Sequence, residues 1–159
     1  MTARARPLAW FAWVAAALGA VALGGCTAAP PSDTKTTRLW TDDYYIRVTS
    51  EPSPPRALEQ VQYTVVVQDK KTREPIEIGE GRIFATNEDR KNTDNGFEKS
   101  PEPGTYRTKL FFATAGNWAM GVQFRRDSTQ RLQRTNDWYQ EVLGATEPGQ
   151  DGAKARPGQ

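Results

Sequence analysis

The stretch Val61-Gln62-Tyr63-Thr64-Val65-Val66-Val67 decides the fold. Val61, Tyr63, Val65 and Val67 fall on one face, and Gln62, Thr64 and Gln68 on the other. A period of two with branched and aromatic residues on one side is the mark of a half-buried strand. The same alternation spreads in both directions. Upstream, Tyr44, Ile46 and Val48 alternate with Tyr45, Arg47 and Thr49 until Pro52, Pro54 and Pro55 break the run. Downstream, Ile76 and Ile78 form a short strand, and Gly79 and Gly81 signal a bend or bulge. Arg82 to Thr86 reads as another strand. Thr105 to Phe112 places Tyr106, Thr108, Leu110 and Phe112 on one side, and Asn117 to Arg126 turns Trp118, Met120, Val122 and Phe124 inward.

Between these strands, residues 87–103 read as a polar loop of 17 residues containing Asn95-Gly96 and two prolines. A loop of that length is uncommon without a function or disorder. Thr129 to Arg134 fits a final edge strand. Trp138, Tyr139, Val142 and Leu143 have spacings that allow either a strand or a short helix. Six or seven short strands, no long helix and frequent Pro/Gly punctuation describe an all-β chain folded as an antiparallel sandwich. Trp118 is expected between the sheets, near Tyr63 and Leu110.

The ends of the chain read differently. Arg4 and Arg6 precede an apolar run from Leu8 to Leu23 that is 16 residues long and uncharged. A bilayer core takes a helix of about 20 apolar residues, so a signal peptide with a helical core over residues 1–25 fits better than a permanent span. Leu23-Gly24-Gly25-Cys26 resembles the lipobox of bacterial lipoproteins, with Cys26 as the lipidated first residue of the mature chain. Stable anchoring takes two or more acyl chains. Thr27 in second place, instead of Asp, resembles lipoproteins sent to an outer membrane. The expected location is therefore a cell membrane or outer membrane, held by a diacylglyceryl-cysteine and facing the periplasm or cell exterior. Thr27 to Thr37 is small, polar and Pro-containing, a tether with a root-mean-square reach of about 20 Å. These signals divide the chain into a signal peptide (1–25), a flexible tether (26–39), a sandwich (40–143) and a disordered tail (144–159).

Composition narrows the function. Loss of Arg4 and Arg6 with the signal leaves 19 Lys plus Arg of the original 21, against 19 Asp plus Glu, in a mature chain of 134 residues. That neutrality argues against nucleic-acid binding, which needs a surplus of basic residues on one face. The chain has no histidine and one cysteine. It lacks the commonest general base at neutral pH and, once Cys26 is lipidated, any disulfide. Ser50, Ser53, Ser100 and Ser128 sit in turn-like contexts, and none of them begins a Ser-x-x-Lys motif. No catalytic residue, cofactor or metal ligand is expected, and the chain does not read as an enzyme. Asn92, Asp94 and Asn95 offer oxygen ligands of the kind Ca²⁺ takes, so a solute- or calcium-binding lipoprotein using the 87–103 loop is the alternative. Lys91 and Thr93, however, fall where EF-hand carboxylates belong. The basic residues Lys70, Lys71, Arg73, Arg125, Arg126, Arg131 and Arg134 suit contact with anionic headgroups or, more simply, solvated loops and a guarded edge. Trp40, Tyr44, Tyr45, Trp138 and Tyr139 are the aromatics expected at the surface. Of these, Trp40, Tyr45, Trp138 and Tyr139 are the candidate partner-binding residues, because aromatics are enriched at binding hot spots; they equally suit sealing the ends of the sandwich.

The order of these motifs resembles one family. Pro-Pro precedes a Val-x-Tyr-x-Val-x-Val strand, then come Pro103-Gly104-Thr105-Tyr106, Leu110-Phe111-Phe112, Ala115-Gly116-Asn117-Trp118 and Val122-Gln123-Phe124. From about Tyr44 to Phe124 this is similar to the YtkA-like domain, related to the periplasmic part of FixH-like proteins. The resemblance implies an immunoglobulin-like sandwich of about seven strands. It also implies a membrane-tethered module that binds or helps assemble a protein complex, respiratory or transport in character, through a protein partner at the membrane. FixH-like proteins carry a transmembrane anchor, where this chain has a lipobox.

Overall fold

The computed structural model describes residues 35–146, and every regular element in that range is a β-strand. In chain order these are β1 (Thr37–Trp40), β2 (Tyr44–Glu51), β3 (Gln60–Asp69), β4 (Glu80–Asn87) and β5 (Asn92–Gly96). They are followed by β6 (Glu98–Lys99), β7 (Thr105–Phe111), β8 (Gly116–Arg125), β9 (Gln133–Arg134) and β10 (Trp138–Val142). The first sheet has the order β1-β2-β3-β7-β6. The second has β10-β8-β4-β5, with β9 beside β8 on the same side as β10. All strand pairings are antiparallel.

This is an immunoglobulin-like sandwich. β2-β3-β7-β6 takes the A-B-E-D order, and β10-β8-β4 takes the G-F-C order, with β5 as an added strand beside C. The alternation in β3 produces it directly. Val61, Tyr63, Val65 and Val67 are all buried, and so are Ile46 and Val48 of β2, Tyr106 and Leu110 of β7, and Met120, Val122 and Phe124 of β8.

Aromatic contacts hold the core at both ends. Phe124 meets Tyr44 edge-on at 5.1 Å and Tyr106 at 5.4 Å, while Phe112 meets Trp118 at 5.1 Å. Such pairs add about 0.5–1.5 kcal/mol beyond area burial. Trp118 is buried in the same cluster as Tyr63 and Leu110, as expected, and its Nε1 donates to the Thr114 carbonyl at 3.2 Å. That bond, from the start of the F-type strand back to the preceding turn, takes the place of the tyrosine corner of immunoglobulin-like domains. Two residues on, where a B–F disulfide joins the sheets of antibody domains, the Tyr63 hydroxyl of β3 donates to Met120 Sδ of β8 at 3.8 Å.

Several boundaries differ from expectation. The expected tether loses its last residues to the first sheet, because Thr37 to Trp40 pair with Val48 to Tyr45. Ile76 and Ile78 do not form a strand. The Ile76 amide donates to the Val67 carbonyl, its own carbonyl accepts the Tyr106 hydroxyl at 2.7 Å, and Ile78 is left exposed. The 87–103 segment is not an open loop. β5 pairs with β4 in the second sheet, β6 pairs with β7 in the first, and the chain changes sheets at Phe97, whose ring packs against the core. Phe97 fixes the crossing by donating its amide to the Gly81 carbonyl at 2.9 Å.

Of the proposed edge strand over 129–134, only Gln133–Arg134 pairs, since Asp127 folds the preceding residues into a turn by accepting from the Thr129 and Gln130 amides. Residues 138–142 form a strand, β10, the first of the two conformations their spacing allowed. Between β9 and β10 lies one extra residue relative to β8, a β-bulge. There the Thr135 amide donates to the Val122 carbonyl at 3.0 Å, and the Thr135 hydroxyl accepts the Val122 amide at 3.1 Å.

Gly104, in the Pro-Gly-x-Tyr motif, has φ +67°, and a side chain there would meet Pro75 and the Val67 carbonyl at under 3 Å. Its own carbonyl accepts the Val67 amide at 2.8 Å, so the turn needs both the left-handed backbone and the missing Cβ.

Candidate functional site

The hairpin joining β1 to β2 brings two of the candidate aromatics together. Trp40 and Tyr45 are cross-strand partners, and their rings lie 5.6 Å apart. The Arg73 guanidinium sits 4.4 Å from the centre of the Tyr45 ring. Thr41 closes the hairpin by donating its amide to the Tyr44 carbonyl and accepting the Tyr44 amide on its hydroxyl, both at 3.0 Å. Trp40 remains about half exposed. Tyr44 does not belong with the surface aromatics. It is buried because the alternation of β2 turns it inward onto Phe124.

Trp138 and Tyr139 stand in the other sheet, on β10. Trp138 faces inward and packs against the core, acting as a seal, whereas Tyr139 is 76% exposed on the outer face. The four candidates therefore split into a pair on β1–β2 in which Trp40 is exposed and Tyr45 half-buried, one core-facing residue on β10, and one exposed ring, Tyr139. Cys26, Leu23, Gly24 and Gly25 lie outside the described residues, as do the signal peptide and residues 147–159 of the expected tail.

A recess of about 400 Å³ opens beside Trp40, between the hairpin and the β9 segment. Lys70, Arg131 and Arg134 bring three cations to its lining against the single carboxylate of Asp42, and Leu132 adds an apolar wall. Arg134 is paired with Asp137 at 2.6 Å, and Lys70 donates to the Thr41 carbonyl at 2.8 Å. Among the described residues, neither Lys70 nor Arg131 makes an ion pair. The recess is braced by a two-point link, in which the Asp43 amide donates to Gln133 Oε1 (3.0 Å) and Gln133 Nε2 donates to Asp43 Oδ2 (2.6 Å). Next to it, Asp69 holds Arg126 at 2.7 Å. The Thr72 and Lys71 amides hold the Asp69 carboxyl below its ordinary range, with Arg126 adding to the effect. A surface aromatic pair beside unpaired cations is suited to recognising an anionic, partly apolar group.

The polar 87–103 segment, the alternative calcium site, engages its side chains internally. The Thr86 hydroxyl donates to Asn92 Oδ1 at 2.6 Å, Arg82 pairs with Asp94 at 3.3 Å, and the Asn95 amide group donates to the Lys109 carbonyl at 3.1 Å. Among the described residues, no three Asp, Glu, His or Cys side chains gather as a metal site.

The contributions of Arg131 and Leu132 to the recess escaped the sequence reading. They come from a turn that carries no periodicity, and only the fold brings that turn to the hairpin. Comparison with protein-family models, with curated proteins and with solved structures returned no match.

Proposed function

We propose that this chain is a lipid-anchored, extracytoplasmic sandwich module that binds, or helps assemble, a membrane-associated protein complex, respiratory or transport in character. Its class is that of a YtkA-like or FixH-like binding module, and the motif resemblance from Tyr44 to Phe124 supports that assignment. The anchor is a lipid on Cys26, supported by Leu23-Gly24-Gly25 and the apolar run before it.

The observation that carries the reading is the position of the Trp40–Tyr45–Arg73 cluster and its cation-lined recess. β1 starts toward the proline-rich 52–59 loop, since Thr37 pairs with Val48, and β10 ends there, where Leu143 bonds to Pro55 and Ala57. The cluster lies at the opposite end. A tether joining β1 at Thr37 enters three residues before Trp40, about 10 Å from it at 3.3 Å per residue, and β1 runs from there to the aromatic cluster at the hairpin end, open to a partner.

The test compares the wild-type chain with Cys26→Ala and with Trp40→Ala/Tyr45→Ala in host membranes. Fatty-acid labelling is expected on the wild type and absent from Cys26→Ala. A stoichiometric partner is expected to co-purify from detergent-solubilised wild type and to be lost from the double aromatic variant. Equal label in wild type and Cys26→Ala would sink the anchor. A partner retained by the aromatic variant would sink the site.

A further inference from the structure

We propose that the partner docks by strand addition: an extended, proline-free segment of the partner, carrying an acidic side chain at one end, pairs with the free edge of β10. This docking mode rests on the partner-binding reading above and adds the geometry of the contact.

Three observations converge on that edge. First, the edge is unpaired among the described residues. Leu143 donates its amide to the Pro55 carbonyl (2.9 Å) and accepts the Ala57 amide on its own carbonyl (2.8 Å), so its backbone groups point away from β8. Strand backbones alternate sides, so Tyr139 and Glu141 also point their N–H and C=O groups outward. Among the described residues, no strand pairs with them. Among the described residues, the Glu141 carbonyl is met only by the side-chain amide of its half-buried neighbour Gln140, at 3.1 Å.

Second, the edge is lightly guarded. Exposed edges are normally blunted by Lys, Pro or charged side chains, and Trp138-Tyr139-Gln140-Glu141-Val142 has no Lys, no Pro and a single charge, the exposed Glu141. The other outer strand of this sheet, β5, is the contrast. It is polar throughout (Asn92-Thr93-Asp94-Asn95-Gly96), and its Asn95 side chain reaches across to Lys109 of the first sheet.

Third, both ends of the seam between β1 and β10 are defined. At the proline end, Arg56 and Leu143 already form one rung of a parallel ladder. At the hairpin end lies the recess with Lys70 and Arg131, cations without a carboxylate partner among the described residues. A strand continuing beside β10 from that rung runs toward those cations. Main-chain bonds to Tyr139 and Glu141 supply affinity in such additions, and side-chain pockets supply specificity. A carboxylate in the recess sets the register.

The experiment places a photo-crosslinking side chain, p-benzoylphenylalanine, at Tyr139 or at Arg107, on the outer face of the opposite sheet. The full chain is used, in the membranes of its own host. Glu141→Pro removes one outward N–H without touching the β8 ladder, and Glu141→Ala controls for the lost charge. Tryptophan fluorescence and the unfolding midpoint verify that each variant folds.

The expected result is one adduct from position 139 and none from position 107. Glu141→Pro and Arg131→Glu are each expected to reduce the adduct about tenfold, with Glu141→Ala within about twofold of wild type. Adducts that ignore Glu141→Pro, or that form from 107, overturn strand addition while leaving partner binding in place. An adduct of twice the chain mass means a second copy fills the seam, and an internal crosslink of unchanged mass means the chain's own end does so. Either also overturns the proposal. Absence of any adduct, together with absence of a co-purified partner, removes the partner-binding reading itself.

Discussion

Trp118 shows how much one side chain can carry. Its position was legible because it opens an alternating run, Trp118, Met120, Val122, Phe124, whose other face is small or polar. What the run could not reveal is the hydrogen bond from Nε1 to the Thr114 carbonyl, since Thr114 lies in a turn with no pattern of its own. The two roles separate by mutation. Trp118→Ala is expected to cost about 3–5 kcal/mol in chemical denaturation, the range for large aromatic truncations. Trp118→Phe keeps much of the ring and loses the bond to the half-buried Thr114 carbonyl, so it should still cost about 0.5–1.5 kcal/mol. An unchanged midpoint in the alanine variant would contradict the burial. Tyr44 teaches the opposite lesson. Its neighbour Tyr45 looks equivalent in sequence, yet the one-residue offset in a strand sends Tyr44 into the core and leaves Tyr45 under Arg73.

Among the elements, long regular strands could be read and short ones could not. β3, β7 and β8 announce themselves by alternation over seven residues or more. β5 and β6 were hidden because their residues, Asn92 to Gly96 and Glu98-Lys99, are polar on both faces and owe their conformation to the neighbouring strands. β10 was ambiguous for a related reason: the spacing of Trp138, Val142 and Leu143 serves either conformation, and the free edge of β8 decides between them. The bulge before β10 offers a sharp test. The Thr135 hydroxyl is the partner of the buried Val122 amide. Thr135→Val keeps the shape and removes that acceptor, and an unsatisfied buried amide costs about 1–3 kcal/mol. Thr135→Ser should retain most of the stability. Equal melting temperatures for Val and Ser would show that the hydroxyl is dispensable.

For the whole molecule, the candidate site was legible only in part. Lipobox and aromatic candidates came from local signals. The cation-lined recess came from Lys70, Arg131 and Leu132, which lie far apart along the chain, and no local pattern joins them. Stability, by contrast, depends on a core whose tyrosines give it a defined alkaline limit. Burial pushes Tyr106 up to about 12 from 10.0, with Glu77 and Tyr44 adding to the rise, and burial also raises Tyr63 and Tyr44. Below pH 10 both folded and unfolded chains keep these phenols protonated. Between pH 10 and about 12 the unfolded chain alone releases protons, so stability falls as pH rises through that window. The denaturation midpoint should hold steady up to about pH 10 and then drop. Phenolate absorbance from the buried tyrosines should appear with unfolding and not before it. In a Tyr45→Phe/Tyr139→Phe background, which leaves only Tyr44, Tyr63 and Tyr106 among the chain's tyrosines, phenolate formation at pH 10 in a chain that stays folded would contradict the burial of these rings.

The change of sheets at Phe97 has a mechanical consequence. One continuous run of backbone stitches the β5 and β6 sides of both sheets together, much as a spine holds the covers of a book. Along the fore-edge, between β1 and β10, only side-chain links and a single rung span the gap among the described residues. Parting the sheets along the β1–β10 side would therefore break fewer backbone links than parting them at Phe97. The β10 edge thus lies on the side of the molecule that has the least to lose by parting.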